Sequence, residues 1–288
     1  MGVMKILLTG ATGLIGSSVL TALLAHGHEV VAIVRSDSSA KRASDAGATA
    51  VVGDISDATW FAEQLRGVDG AIHTASPGDE TSATVDAAVV DAVIDAFGDT
   101  PKPYVHTGGI WVHGSGADLT EETPFAAPAI VAWRAAVEER LLASGVHASI
   151  VEPAIVYGHG QGIPGVLAAA PRTDDGRLTV LGDGTQHWAT VHVDDLAELY
   201  VRVLEGAEVA GRVIGASGQN PTVRELAEAL AGGEVVDEGA DASLERLGAF
   251  GEALLLDQQA SGAKARSLGW EPSRPSLLDE VRAGRYAV

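Results

Sequence analysis

The sequence predicts an α/β protein, a doubly wound parallel sheet that carries a smaller C-terminal lobe. Three observations point there. Short apolar runs alternate with amphipathic stretches through the first two-thirds of the chain. A glycine-punctuated turn separates the first such run from the first helical pattern. Beyond residue 158 the alternation gives way to breaker-rich loops and short helices. Alternating strands and helices with short connections are what a parallel sheet covered on both faces requires.

Taken in order, the first apolar run breaks into Gly10-Ala-Thr-Gly13-Leu-Ile-Gly16, and a helix is predicted over 14–26 with Gly27 as its stop. Strands are then predicted over 28–34, 49–52, 70–74, 103–107 and 147–151. Helices are predicted over 38–46, 57–66, 81–97, 125–143 and 193–205. From Pro221 onward short amphipathic helices dominate, ending in a polar 273–275 stretch and one last helix. The expected division is a dinucleotide-binding Rossmann-like domain of 1–158 and 187–216, and a substrate lobe of 159–186 and 217–288. In open α/β sheets, ligands bind at the carboxyl ends of the strands.

The chain has 39 acidic against 19 basic residues, a formal charge of −20, which repels phosphate backbones and anionic membranes. Nucleic acid and membrane partners are therefore not expected, and the partner is a small-molecule substrate. With no cysteine, disulfides, thiolate nucleophiles and Cys-ligated zinc are excluded. The nine histidines show no ligand spacing with nearby acids, so no metal is expected. Asn220 precedes Pro221 and begins no glycosylation sequon, and no apolar stretch approaches the roughly 20 residues needed to span a bilayer. A cytoplasmic location is the simplest expectation.

The glycine turn sets the amino end of a helix, with its unpaired N–H groups and positive dipole end, where a pyrophosphate can rest. Gly10, Thr12, Gly13, Leu14, Ile15 and Gly16 are the expected cradle. About 20 residues on, the second strand ends at Arg35 rather than at an acid. A carboxylate there would accept from a ribose 2′-OH, whereas a guanidinium pairs with a 2′-phosphate. With Ser36, Lys41 and Arg42 adding donors nearby, NADP(H) is expected in preference to NAD(H).

At this point the chain resembles the extended short-chain dehydrogenase/reductase family, with its epimerase/dehydratase-like and dihydroflavonol-reductase-like members. The glycine pattern is one match. Gly53-Asp54-Ile55-Ser-Asp57 resembles the segment whose acid, here Asp54, meets the adenine amine; Asp57 also reads as a helix cap. His73-Thr74-Ala75-Ser76 resembles the segment beside the cofactor's ribose and phosphates. Glu152-Pro153-Ala-Ile155-Val-Tyr157-Gly158 is similar to a stretch near the nicotinamide, with Glu where the family has Arg. Val191-His-Val-Asp194-Asp195 resembles a later helix start. The resemblance implies a homodimer through the helices after the fourth and fifth strands.

The family's catalytic residues are a Ser or Thr after the fifth strand, then a Tyr and a Lys four residues apart on the next helix. Here those positions fall on Gly108 or Gly109, on Ile130 and on Arg134. Isoleucine transfers no proton, and an arginine can hold ribose hydroxyls but is too basic for acid–base work. Candidate replacements are His113, Tyr157 and His187, with Thr107 orienting a carbonyl; each also reads as a packing or surface residue. Trp111, Trp133 and Trp188 are candidate pocket walls.

The expected activity is hydride transfer between NADP(H) and a small, fairly apolar carbonyl, imine or activated alkene, with an atypical proton donor. A non-catalytic NADP(H) sensor or scaffold, favoured by the missing Tyr and Lys, is the alternative. A nucleotide-sugar epimerase or dehydratase is a third reading.

Overall fold

A computed structural model describes residues 2–98 and 100–286. The chain opens with β1 (Lys5–Thr9), α1 (Leu14–Ala25), β2 (Glu29–Val34), α2 (Asp37–Asp45), β3 (Thr49–Val52), α3 (Ala58–Arg66), β4 (Gly70–His73), α4 (Ser82–Phe97) and β5 (Pro103–Thr107). It continues through α5 (Arg134–Leu142), β6 (His147–Pro153), β7 (Ile155–Gly158), β8 (Gln161–Gly162), α6 (Gly165–Ala168), β9 (Thr179–Val180) and β10 (Thr190–His192). The remainder is α7 (Val193–Glu205), β11 (Arg212–Gly215), α8 (Val223–Ala231), β12 (Val236–Asp237), α9 (Ala240–Leu254), α10 (Ala263–Ser267) and α11 (Leu277–Arg282).

Seven strands form the main sheet in the order β11-β6-β5-β4-β1-β2-β3. The pairs from β6 across to β3 are all parallel, so the polypeptide crosses over through a helix between neighbours. The order reverses at β1: β2 and β3 lie to one side of it, β4, β5 and β6 to the other. That reversal is the switch point where an open α/β sheet leaves a crevice at its carboxyl edge. The result is a Rossmann-like α/β fold.

The chain separates into two compact units. The first comprises Met1–Gly108, Trp133–Glu152 and Leu196–Val213, and the second Gly109–Ala132, Pro153–Asp195 and Ile214–Val288. The division therefore differs from the expected one. Residues 109–132 and 153–158 group with the second unit, because the segment after β5 does not return to the sheet as a helix at once. A helix predicted over 125–143 begins only at Arg134. Pro128 interrupts it, since proline removes the N–H that a helix interior needs and biases the preceding residue away from αR.

One face of the first unit buries Leu7, Phe61, Leu65, Val89, Val93, Phe97 and Tyr104 in a single core. Each fully buried side chain of this kind is worth about 1.5–3 kcal/mol against exposure. The second unit has its own core around Leu167, Trp188, Leu226, Leu254, Leu277 and Tyr286. A three-stranded sheet β10-β7-β8 and the pair β12-β9 belong to it. Among the described residues no helix is long and apolar enough to cross a membrane.

Candidate functional site

The carboxyl edge of the main sheet is built from the ends of β1 to β5, and the glycine turn is its tightest part. Gly10 sits at φ +75°, a left-handed conformation that glycine adopts without strain. A Cβ there would meet Thr74 Oγ1 at 2.6 Å and the Ala75 amide nitrogen at 2.8 Å. Gly16 packs so closely that its Cβ would stand 2.0 Å from the Gly10 carbonyl oxygen. Gly13 differs: the nearest atom to its Cβ would be Gly10 oxygen at 3.4 Å, so its outer face is open. Gly13 is also the N-cap of α1, with no side-chain cap and no acid in the first turn. An uncapped helix end opening on a bare glycine fits an anionic group such as a pyrophosphate. Thr12, Leu14 and Ile15 flank it half-buried.

Beyond β2, Arg35 is exposed and Ser36 caps α2 by accepting the Ser39 amide at 3.3 Å. Ser36 Oγ lies 3.0 Å from Ser38 Oγ, and Arg42 Nη2 donates to Ser39 Oγ at 3.2 Å. Two guanidinium side chains and three hydroxyls thus gather at the end of β2 and the first turns of α2, a donor set suited to a phosphate. After β3, Asp54 accepts the Ser56 amide at 2.9 Å and hydroxyl at 2.7 Å through one carboxylate oxygen. These bonds, with the Arg35 charge, hold its carboxyl below the usual range. Ile55 is buried beside it, and Asp57 caps α3 by accepting the Trp60 amide at 3.0 Å. After β4, Thr74 Oγ1 donates to Thr9 oxygen at 2.7 Å, with Ala75 half-buried and Ser76 exposed.

At the end of β5, the Thr107 hydroxyl donates to His73 oxygen at 2.5 Å and accepts from the Tyr200 hydroxyl at 2.7 Å. Its proton is committed to a backbone carbonyl rather than to a ligand. Burial pushes the Tyr200 phenol well above its ordinary value, which makes it a poor acid at neutral pH. Arg134, first residue of α5, donates from Nη1 to Thr107 oxygen at 2.8 Å and stacks on Trp133 at 4.8 Å from the ring centre. Its Nε and Nη2 make no hydrogen bond among the described residues. Gly109, by contrast, offers no side chain, and Ile130 is exposed.

The remaining candidates lie in the second unit. Tyr157 is buried and its hydroxyl donates to Pro275 oxygen at 2.7 Å; burial raises its phenol far above the ordinary value. His113 is buried, with Nδ1 2.9 Å from Thr123 oxygen, so that nitrogen donates to a carbonyl. His187 is a surface residue paired with Asp257 at 2.9 Å. Ile155 belongs to the second unit's core, its amide donating to Ala189 oxygen at 2.9 Å, and Pro153 is buried at the end of β6. Trp188 fills the core and donates to Leu254 oxygen at 3.0 Å, and Trp111 packs edge-on against Phe250. The Tyr157 hydroxyl and the His113 Nδ1 are thus committed to backbone carbonyls.

Sequence reasoning missed Thr9, Asp86, His106 and Tyr200, all buried in the first unit. Asp86 was findable: it sits on the stripe of α4 that also buries Val89, Val90, Val93 and Phe97. An acid on an apolar stripe demands a partner. It also missed a buried ion cluster in which Arg212 on β11 bonds both Glu138 on α5 and Glu152 on β6. The cation that the family pattern places at residue 152 is thus supplied from another strand. Among the described residues, no group of three or more His, Asp or Glu side chains is placed to hold a metal.

Comparison with known proteins agrees with this geometry. An uncharacterized protein of Schizosaccharomyces pombe is 30% identical over 297 residues, spanning 98% of this chain and 100% of the relative. The 2-alkyl-3-oxoalkanoate reductase of Stenotrophomonas maltophilia is 29% identical over 257 residues, covering 79% of this chain and 74% of that protein. Among solved structures, human epimerase family protein SDR39U1 (isoform 2) with NADPH superposes at a TM-score of 0.73, 20% identity, covering 97% of this chain and 98% of that one. The profile of the NAD dependent epimerase/dehydratase family matches residues 6–215, from the first strand to the last strand of the main sheet. With sheet order, glycine turn and sequence profile in agreement, the chain belongs to the NAD dependent epimerase/dehydratase family.

Proposed function

We propose that the chain binds NADP(H) along the carboxyl edge of its main sheet and transfers hydride to or from a small, fairly apolar carbonyl, imine or activated alkene. The observation that carries this reading is the uncapped amino end of α1 at Gly13, together with Arg35, Ser36 and Arg42 after the neighbouring strand β2. When bound, the nicotinamide supplies the hydride donor or acceptor. Gly10, Thr12, Gly13, Leu14, Ile15 and Gly16 would hold the pyrophosphate, Arg35 and Ser36 the 2′-phosphate, and Asp54 and Ile55 the adenine. Thr74, Ala75 and Ser76 would line the ribose and phosphates. The human relative's NADPH and the reductase name of the bacterial relative are consistent with this assignment.

Of the four catalytic candidates, Arg134 is the one that keeps donors to spare, Nε and Nη2, beside the Nη1 bonded to Thr107 oxygen. A guanidinium there orients and stabilises a developing oxyanion rather than passing a proton. The proton then comes from solvent. That favours substrates whose reduction leaves a stabilised anion or needs none, such as activated alkenes and iminium ions.

The commitment of the Thr107, Tyr157 and His113 hydrogen-bond groups to backbone carbonyls favours a second reading, a dinucleotide-binding sensor without turnover. One experiment separates the two. Titration calorimetry with NADPH and NADH is followed by NADPH consumption with ketones, imines and enones. Tight NADPH binding with consumption of an enone or imine supports the enzyme. Tight binding without consumption supports the sensor, and no binding of either coenzyme overturns both.

A further inference from the structure

Beneath the candidate site, five buried side chains form one unbroken hydrogen-bonded chain across β1, β4, α4 and β5. Thr9 Oγ1 lies 2.7 Å from His73 Nδ1, and His73 Nε2 lies 3.1 Å from one oxygen of Asp86. The other Asp86 oxygen is 3.1 Å from His106 Nε2, and His106 Nδ1 is 2.9 Å from the Tyr104 hydroxyl. The two imidazoles stack at 5.4 Å between ring centres. All five residues are at most 6% exposed.

Proton positions follow by counting donors. Thr9 Oγ1 accepts the amides of Thr74 at 3.2 Å and Ala75 at 3.3 Å, which occupies its lone pairs. Its own hydrogen therefore goes to His73 Nδ1, and the His73 proton resides on Nε2, facing Asp86. The ionised carboxylate only accepts, so it takes the Nε2–H of both rings. Tyr104 then donates to His106 Nδ1. Burial alone would push the Asp86 carboxyl up, but the two imidazoles outweigh it and hold the group ionised.

We propose that this chain positions the loop 74–76 for the dinucleotide. Asp86 fixes both imidazoles as Nε2–H tautomers, and the His73 tautomer turns the Thr9 hydroxyl so that its oxygen clamps the Thr74 and Ala75 amides. Thr9, His73 and Asp86 are positioning residues, and the effect on cofactor rests on the dinucleotide reading above. The carbonyl of the same His73 receives the Thr107 hydroxyl, so one residue sets both loops at the site.

The test uses the full chain and three variants. Imidazole nitrogen-15 spectra of the unaltered protein should show His73 and His106 bare at Nδ1 and protonated at Nε2. In Asp86→Asn one ring must face an NH2 group. His73 is fixed by Thr9, whereas Tyr104 can accept, so His106 should switch to Nδ1–H and His73 should not. Thr9→Val should speed amide exchange at Thr74 and Ala75 and raise the NADPH Kd, each about tenfold. Thr9→Ser, which keeps the hydroxyl, should restore both. A proton on His73 Nδ1 in the unaltered protein, or unchanged Thr74 and Ala75 exchange in Thr9→Val, overturns the proposal. If Thr9→Val does not fold, the tautomers of the unaltered and Asp86→Asn chains decide it. Failure of the unaltered chain to bind either coenzyme would remove the dinucleotide reading, while tautomers and exchange still decide the clamp.

Discussion

Replacing Arg35 by alanine is expected to weaken NADPH binding about 10- to 30-fold and to leave NADH binding unchanged. Arg35 stands exposed at the end of β2, so water sets the local dielectric. A contact pair of unit charges in water is worth about 1 kcal/mol. A 2′-phosphate carries about −1.5 to −2 charges, which brings the lost attraction to roughly 1.5–2 kcal/mol. NADH has a hydroxyl at that position and loses none of it. Because the pair is exposed, screening should narrow the gap as salt rises past about 0.15 M, where the Debye length is ~8 Å. The assay is calorimetric titration of both reduced coenzymes against both chains at two salt concentrations. An equal loss for NADH and NADPH, or none for either, would refute the placement of the phosphate on Arg35.

Two glycines of one turn should respond oppositely to alanine. Gly13→Ala should fold with its melting temperature nearly unchanged and lose NADPH affinity, because its Cβ points into open space; Gly16→Ala should fail to fold, its Cβ standing 2.0 Å from Gly10 oxygen. Circular dichroism melts and coenzyme titration check both. Arg212→Ala should destabilise the fold by about 3–5 kcal/mol in urea unfolding, since it strands two fully buried carboxylates. Stability should also fall as pH drops below about 6.5. Burial lowers the His73 and His192 pKa values below their unfolded value. Between the folded and unfolded values the unfolded chain binds the extra proton, so each group contributes a slope of up to ~1.4 kcal/mol per pH unit. A melting temperature flat between pH 7 and pH 5 would contradict this.

Much of the first unit was legible because its signals are local. The strands at 49–52 and 103–107 and the helix at 193–205 are found where apolar periodicity and glycine stops place them. The glycine turn was legible for the same reason: three glycines and a helix start adjoin in sequence. The helix predicted from 125 begins later because its apolar periodicity runs across Pro128. The two-residue strands β8, β9 and β12 are too short to show alternation. The surroundings of the catalytic candidates were hidden for a different reason. Tyr157 and His113 look available by composition, but their partners, Pro275 and Thr123, are backbone carbonyls that side-chain identity does not reveal. The network through Asp86 joins residues 9, 73, 86, 104 and 106 across four elements, and only the sheet order brings them together.

The ion cluster at Arg212 has a consequence for biosynthesis. Glu138 and Glu152 lie near the middle of the 288 residues, yet their shared cation is 60 residues downstream of Glu152. Until that arginine leaves the ribosome, closing α5 and β6 over both acids would strand two anions in a dry interior. A chain ending before β11 is therefore expected to leave this edge open and hydrated, with β11 as the latch for its closure.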